Sequence, residues 1–139
     1  MVKYDYRLEY PLAPISLTYV KDDIWILNED IEVLLTDGRT ILIPKGFETD
    51  LSSIPRFLWG ILKPFDKGLL GDVIHDYLWE DKMAETLYFD SAYKAQLFSD
   101  RERDFWRKKL AKEFKIKNWV TYKALRIWGG KRYRGEVKI

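Results

Sequence analysis

The chain has 139 residues, 47% of them apolar and 16% aromatic, which is ample material for one domain with its own core and calls for no disulfide or structural metal. It has no cysteine, so thiolate catalysis, cysteine–zinc sites and disulfide frameworks are excluded. Twenty-four basic against 22 acidic residues leave a net charge of +2, too balanced for a domain-wide nucleic-acid footprint, and nucleic acid is disfavoured as a partner.

Lys3, Asp5, Arg7 and Glu9 leave no apolar signal-peptide core between Met1 and Tyr10. No later run approaches the roughly 18 apolar residues of a membrane span, so a cytoplasmic location in the producing cell is expected. From Tyr4 to Tyr19, Pro11 and Pro14 break any helix, and the segment reads as an extended arm or edge strand. Ile24–Leu27, Ile31–Thr36 and Thr40–Pro44 are short β-rich runs, and Asp37-Gly38 between the last two signals a tight hairpin turn.

After Pro44 the period changes. Pro55 opens a short helix through Leu62, Pro64 ends it, and Gly68–Glu80 is the next helix. Asp81–Phe98 is ambiguous: Met83–Phe89 reads as a loop or a helical start, and Ser91–Phe98 as helical. Ser99-x-x-Glu102 matches a capping box ahead of Trp106, Leu110 and Phe114, which predicts an amphipathic helix over about Asp100–Phe114. Trp119–Trp128 is a last helix, stopped by Gly129-Gly130. Strands first and helices second argue for a single α+β domain: residues 1–47 mainly β, with an antiparallel hairpin or small sheet, 55–129 mainly α, and 130–139 a basic tail.

Two stretches carry candidate chemistry. In Gly46-Phe47-Glu48-Thr49-Asp50-Leu51-Ser52-Ser53-Ile54-Pro55-Arg56, a strand leaves through glycine into short hydroxyl and carboxylate residues. These are capping and turn types whose oxygens accept orphan backbone N–H groups, so a plain strand-to-helix turn is one reading. In the other, Asp50 points into a cleft as a metal ligand or a partner of the single histidine, and Arg56 binds an anion.

The Gly68–Glu80 helix places Leu70, Val73, Ile74, Tyr77 and Leu78 on one face and Asp72, His75, Asp76 and Trp79 on the other. The latter set recurs at i, i+3, i+4 and i+7, so adjacent turns present two carboxylates and an imidazole to one space, suited to general-base or metal work. A carboxylate from another element, Asp50 or Asp104, would fix the imidazole tautomer and raise its basicity. With one histidine, a protein-held metal would rest on carboxylates such as Asp76 and Asp50 and be a hard ion, Mg²⁺, Mn²⁺ or Ca²⁺. An acidic helix face with a structurally tied histidine is the alternative.

These stretches resemble the phage- and prophage-associated domain-of-unknown-function family 1353, whose pattern runs G-F-x-T-D-x-A-S-x-P-R, then H-D-x-L-Y, then a later Asp-containing helix and an R-x-x-G ending. Here they stand as Gly46–Arg56, His75-Asp76-Tyr77-Leu78-Trp79, Arg103-Asp104-Phe105 and Tyr122–Gly129, over roughly Trp25 to Tyr133. Ser52 replaces the pattern's alanine, Trp79 its usual tyrosine, and Asp72 falls where small residues are common. The resemblance implies a phage or prophage source and directs attention to Asp50, His75, Asp76 and Asp104, without naming an activity.

Locally, His-Asp-x-x-aromatic with a later helical Asp is similar to the catalytic arrangement of phospholipases A2. That similarity implies water activation at His75, Ca²⁺ at Asp76 and orientation of the imidazole by Asp104. The glycine-rich calcium loop and the disulfides of those enzymes are missing, so what is shared is geometric logic rather than fold.

Arg101, Arg103, Arg107, Lys108, Lys109, Lys112, Lys115 and Lys117 crowd one region, with Lys131, Arg132, Arg134 and Lys138 after it. The interspersed Asp100, Glu102 and Glu113 favour a solvated outer helix face over a phosphate-binding surface. Most of the six tryptophans read as core, with Trp79 on the His75 face as the exception. The leading expectation is a hydrolase-like protein with His75 as general base; Asp76, Asp50 and Asp104 orient it or bind a divalent cation, and Thr49, Ser53, Arg56 and Trp79 meet the substrate. The competing expectation is a phage virion or tail accessory, or a protein that binds a host factor, in which the Asp–His cluster is structural.

Overall fold

A computed structural model describes residues 1–8, 14–22, 24–50, 69–79, 91–110 and 115–128. Among these residues six strands come first: β1 (Val2–Asp5), β2 (Leu17–Lys21), β3 (Ile24–Leu27), β4 (Ile31–Leu34), β5 (Thr40–Ile43) and β6 (Glu48–Thr49). Three described helices follow: α1 (Leu69–Trp79), α2 (Ala92–Leu110) and α3 (Lys115–Trp128). The order is α+β, as the segregation of strand and helix signals predicts.

The strands form two three-stranded sheets, ordered β1-β4-β5 and β2-β3-β6. β4 and β5 are the expected antiparallel hairpin, with Ile31 opposite Ile43 and Leu34 opposite Thr40. Their turn closes through Leu35 N–H to the Arg39 carbonyl (2.7 Å) and Gly38 N–H to the Leu35 carbonyl (3.0 Å), and Gly38 takes φ +90°, which glycine adopts without steric cost. β1 pairs with β4 in parallel, a non-local pairing that no turn signal announces.

Alternation along β4 and β5 buries Ile31, Val33, Ile41 and Ile43 and leaves Leu42 facing out. These side chains join Tyr4, Leu27 and Leu35 in one cluster with Leu70, Val73, Ile74 and Leu78 of α1 and Trp106 of α2. The apolar face expected for α1 is therefore the one that meets the sheets. Its Asp72–His75–Trp79 face is buried too, because α2 packs against it: Gly71 lies so near that a Cβ there would sit 2.9 Å from the Arg103 carbonyl oxygen.

α2 departs from expectation at its start. It begins at Ala92, where the Ser91 hydroxyl accepts the Lys94 N–H at 3.1 Å, so Ser99 and Glu102 lie mid-helix and form no capping box. Glu102 instead reaches the β4–β5 turn, accepting the Thr36 N–H at 2.9 Å and the Thr36 hydroxyl at 2.6 Å. Burial pushes its carboxyl above the usual range, although those bonds favour the ionised form. The solvated basic face expected of this region also needs correction. Arg101 and Lys108 are exposed, but Arg103 and Arg107 are fully buried, with Nε of Arg103 and Nη1 of Arg107 donating to the two oxygens of buried Asp72 at 2.7 and 3.0 Å. Arg103 also donates to the Thr121 hydroxyl (3.0 Å) and Arg107 to the Asn118 side-chain oxygen (2.9 Å), which tie α3 to the same node.

Candidate functional site

One helical turn beyond Asp72, His75 is 1% exposed and lies between carboxylates on two sides. Its Nε2 is 2.6 Å from Oδ1 of Asp100 on α2, a residue with no solvent exposure. Oδ2 of Asp100 accepts from Nη1 of Arg126 on α3 at 2.8 Å, so one carboxylate joins α1, α2 and α3. On the other side, Nδ1 faces Oδ1 of Asp76 at 3.7 Å, beyond hydrogen-bond length, and has no hydrogen-bond partner among the described residues. Asp76 is held from β6: its Oδ2 accepts the Thr49 hydroxyl at 2.5 Å and the Asp50 backbone N–H at 3.1 Å.

Because Asp100 accepts from Arg126 as well, the Nε2 contact is best made by an imidazole that donates its Nε2–H, which leaves the Nδ1 lone pair as the basic site when the ring is neutral. Burial by itself would lower the imidazole pKa; the carboxylates of Asp100 and Asp76 outweigh it and raise the pKa above the ordinary 6.5. Burial would likewise raise Asp76, but the neighbouring His75 imidazole and the hydrogen bonds from Asp50 and Thr49 hold it below the usual carboxylate range. Trp79 lies tilted against the imidazole, with centroids 4.4 Å apart and planes 40° from parallel, and donates its indole N–H to the Ser99 hydroxyl.

The sequence-based candidates thus divide. His75, Asp76, Thr49, the Asp50 backbone and Trp79 are brought together. Asp104 is not: it pairs with Lys108 one turn along α2 at 2.7 Å, and the carboxylate that reaches His75 is Asp100. Sequence reasoning missed Asp100 because the supposed capping box placed it at a helix start; it read Ser99 as a cap and met Arg126 only within the family's R-x-x-G ending, with no link to His75. The usable signal was Ser91, whose cap starts α2 eight residues earlier and points Asp100 inward. Ser53 and Arg56 lie outside the described residues.

Among the described residues no three His, Asp or Glu side chains gather closely enough to hold a metal ion, and Oδ2 of Asp76, the carboxylate expected to bind one, is taken up by Thr49 and Asp50. No described helix is long and apolar enough to cross a membrane.

Fold and site together define an α+β protein in which a histidine is held by a buried carboxylate on one ring nitrogen and left unbonded on the other. The family model described as Protein of unknown function (DUF1353) matches residues 25–124, from β3 into α3 and across Thr49, His75, Asp76 and Asp100, with Arg126 just beyond its end, and the chain belongs to that family. No curated protein and no solved structure matches it.

Proposed function

We propose that the protein is a hydrolase in which His75 activates water through Nδ1. The observation that carries this reading is the unbonded Nδ1 of an otherwise clamped, buried imidazole. A polar atom left unsatisfied in the interior costs about 1–3 kcal/mol, and a histidine that served only to join helices would be expected to use both nitrogens. In the proposed step, a water donates a proton to Nδ1 as its oxygen bonds to the carbonyl carbon or phosphorus of an ester. The imidazolium that forms lies between Asp100 and Asp76, and its proton then passes to the departing alkoxide oxygen. Thr49 and Asp50 keep Asp76 ionised beside the ring, and Arg56, six residues after Asp50 in the sequence, would meet an anionic substrate. The reading routes no step through a metal ion, and Asp104 has no part in it. A phage or prophage origin and action inside a bacterial host cell fit the family resemblance and belong to the same proposal.

A panel of p-nitrophenyl carboxylic esters, phosphomonoesters and phosphodiesters, assayed with wild type, His75→Ala and Asp100→Asn, tests it. Hydrolysis that falls at least ~10²-fold in both variants is expected, in line with loss of a general base. No hydrolysis above buffer by wild type, or equal rates in His75→Ala, would sink the reading.

The burial of His75 and the three-helix reach of Asp100 favour a second reading, in which the cluster is a structural tie in a virion accessory or host-factor-binding protein. In that case His75→Ala loses several kcal/mol of stability and no activity exists to lose.

A further inference from the structure

The strongest unabsorbed observation lies on the far side of Asp100. Arg126 is the only described side chain on α3 bonded to the His75–Asp100 pair, and its guanidinium also covers the ring of Tyr93 on α2 at 5.1 Å. The pair itself has almost no exposure, whereas the Arg126 side chain is 19% exposed, so the cation stands at the solvent end of a relay that runs Arg126, Asp100, His75.

We infer that Arg126 is a positioning residue: it supplies the countercharge that lets His75 become neutral beside a buried Asp100 carboxylate, and it fixes the neutral ring as the Nε2–H tautomer with Nδ1 as its base. This rests on the reading of His75 as a base and names the group that makes the base form accessible.

The argument is one of charge balance. With His75 protonated, the buried Asp100 has two cationic partners. When the ring loses its proton, Asp100 would be a lone buried anion, which low-dielectric surroundings strongly disfavour, unless a second cation remains bonded to it. Arg126 is that cation, and it keeps its charge throughout the titration of His75. It also occupies Oδ2, so Asp100 meets the imidazole through Oδ1 alone and as an acceptor, which selects Nε2–H. Among the described residues, the groups facing the ring from the elements packed around it are Asp76 of α1, Asp100 of α2, Arg126 of α3 through Asp100, Tyr93 of α2 over Arg126, and Thr49 and Asp50 of β6 and its end, through Asp76. Of these, Arg126 is the cation.

His75 is the single histidine of the chain, so the ring carbon and nitrogen signals of ¹³C,¹⁵N-histidine-labelled protein report it without assignment. The experiment is a pH titration of wild type, Arg126→Gln and Arg126→Lys. Arg126→Gln is expected to hold the proton to higher pH, at least about tenfold in the ionisation constant, or one pKa unit. Arg126→Lys, which keeps the charge, is expected to return most of that shift. The neutral wild-type ring is expected to show Nε2 protonated and Nδ1 bare.

An Arg126→Gln titration that overlays wild type would overturn the inference even if the variant melted earlier, because a purely structural staple would move stability and not the imidazole. Should Arg126→Gln fail to fold, the wild-type tautomer decides, and a proton on Nδ1 overturns the inference. The readout needs no substrate. A shifted titration in a protein that hydrolyses nothing would keep the role of Arg126 and remove the hydrolytic reading, whereas hydrolysis with an unshifted titration would do the reverse.

Discussion

Nε of Arg103 donates to Oδ1 of Asp72 at 2.7 Å, and both side chains are 1% exposed. Asp72 therefore joins α1 to α2 by a fully buried ion pair, doubled by Arg107 and extended to α3 through Thr121 and Asn118.

Removal of Asp72 takes a buried carboxylate partner from two buried guanidinium groups. Asp72→Ala should cost about 3–5 kcal/mol, the range for breaking one side of a buried pair, measured by urea unfolding. A loss under about 1 kcal/mol would show that the arginines find other acceptors and that the node does not hold the helices together.

Gly71 is set by approach rather than by backbone angle. A methyl group there would meet the Arg103 carbonyl oxygen at 2.9 Å and Cγ of Arg107 at 3.1 Å. Gly71→Ala gains about 1 kcal/mol of helix propensity but forces α1 and α2 apart, and overpacking of this kind costs about 1–3 kcal/mol. Net destabilisation is expected in the same unfolding assay. A more stable variant would mean that the α1–α2 contact yields readily.

The pH dependence of stability has a definite sign. His75 binds its proton more tightly folded than unfolded, so its contribution is complete below 6.5 and is lost as pH rises through the folded value. Asp76 acts oppositely: its contribution is present above the usual carboxylate value and is lost only as pH falls through its depressed one. Glu102, raised by burial, also loses stabilisation as pH rises, but from the acid side of the range. The His75 part is therefore best isolated as the stability of wild type minus that of His75→Ala between pH 5 and 9. That difference should stay level to about pH 6.5 and then decline by up to ~1.4 kcal/mol per pH unit. A level difference across the whole range would contradict the coupling of His75 to its two carboxylates.

Local pattern carried much of this architecture. The Asp37-Gly38 turn, the alternation in β4 and β5, and the helix through His75 follow from neighbours within a few residues, and each stands close to its expected place. The resemblance of Gly46–Arg56 and His75–Trp79 to the family pattern likewise found the Thr49–Asp50–His75–Asp76 half of the site. The other half was hidden because its partners are far apart in sequence. Asp100 meets His75 from 25 residues away, Arg126 meets Asp100 from 26, and Arg103 meets Asp72 from 31. In a helix carrying arginines and lysines among acids, nothing local distinguishes Arg103 and Arg107, which turn inward, from Arg101 and Lys108, which face water. The Ser99-x-x-Glu102 spacing met the form of a capping box while both residues had tertiary partners, Trp79 and Thr36.

The measurement closest to the central claim is the pH dependence of hydrolysis on the best ester in the panel, followed as kcat/KM from pH 5 to 9 for wild type and His75→Ala. A base that works through Nδ1, with its pKa raised by Asp100 and Asp76, predicts a rate that rises through a single midpoint above 6.5 and is lost in the variant. A flat or falling profile, a midpoint well below 6.5, or a rate that survives in His75→Ala would contradict it.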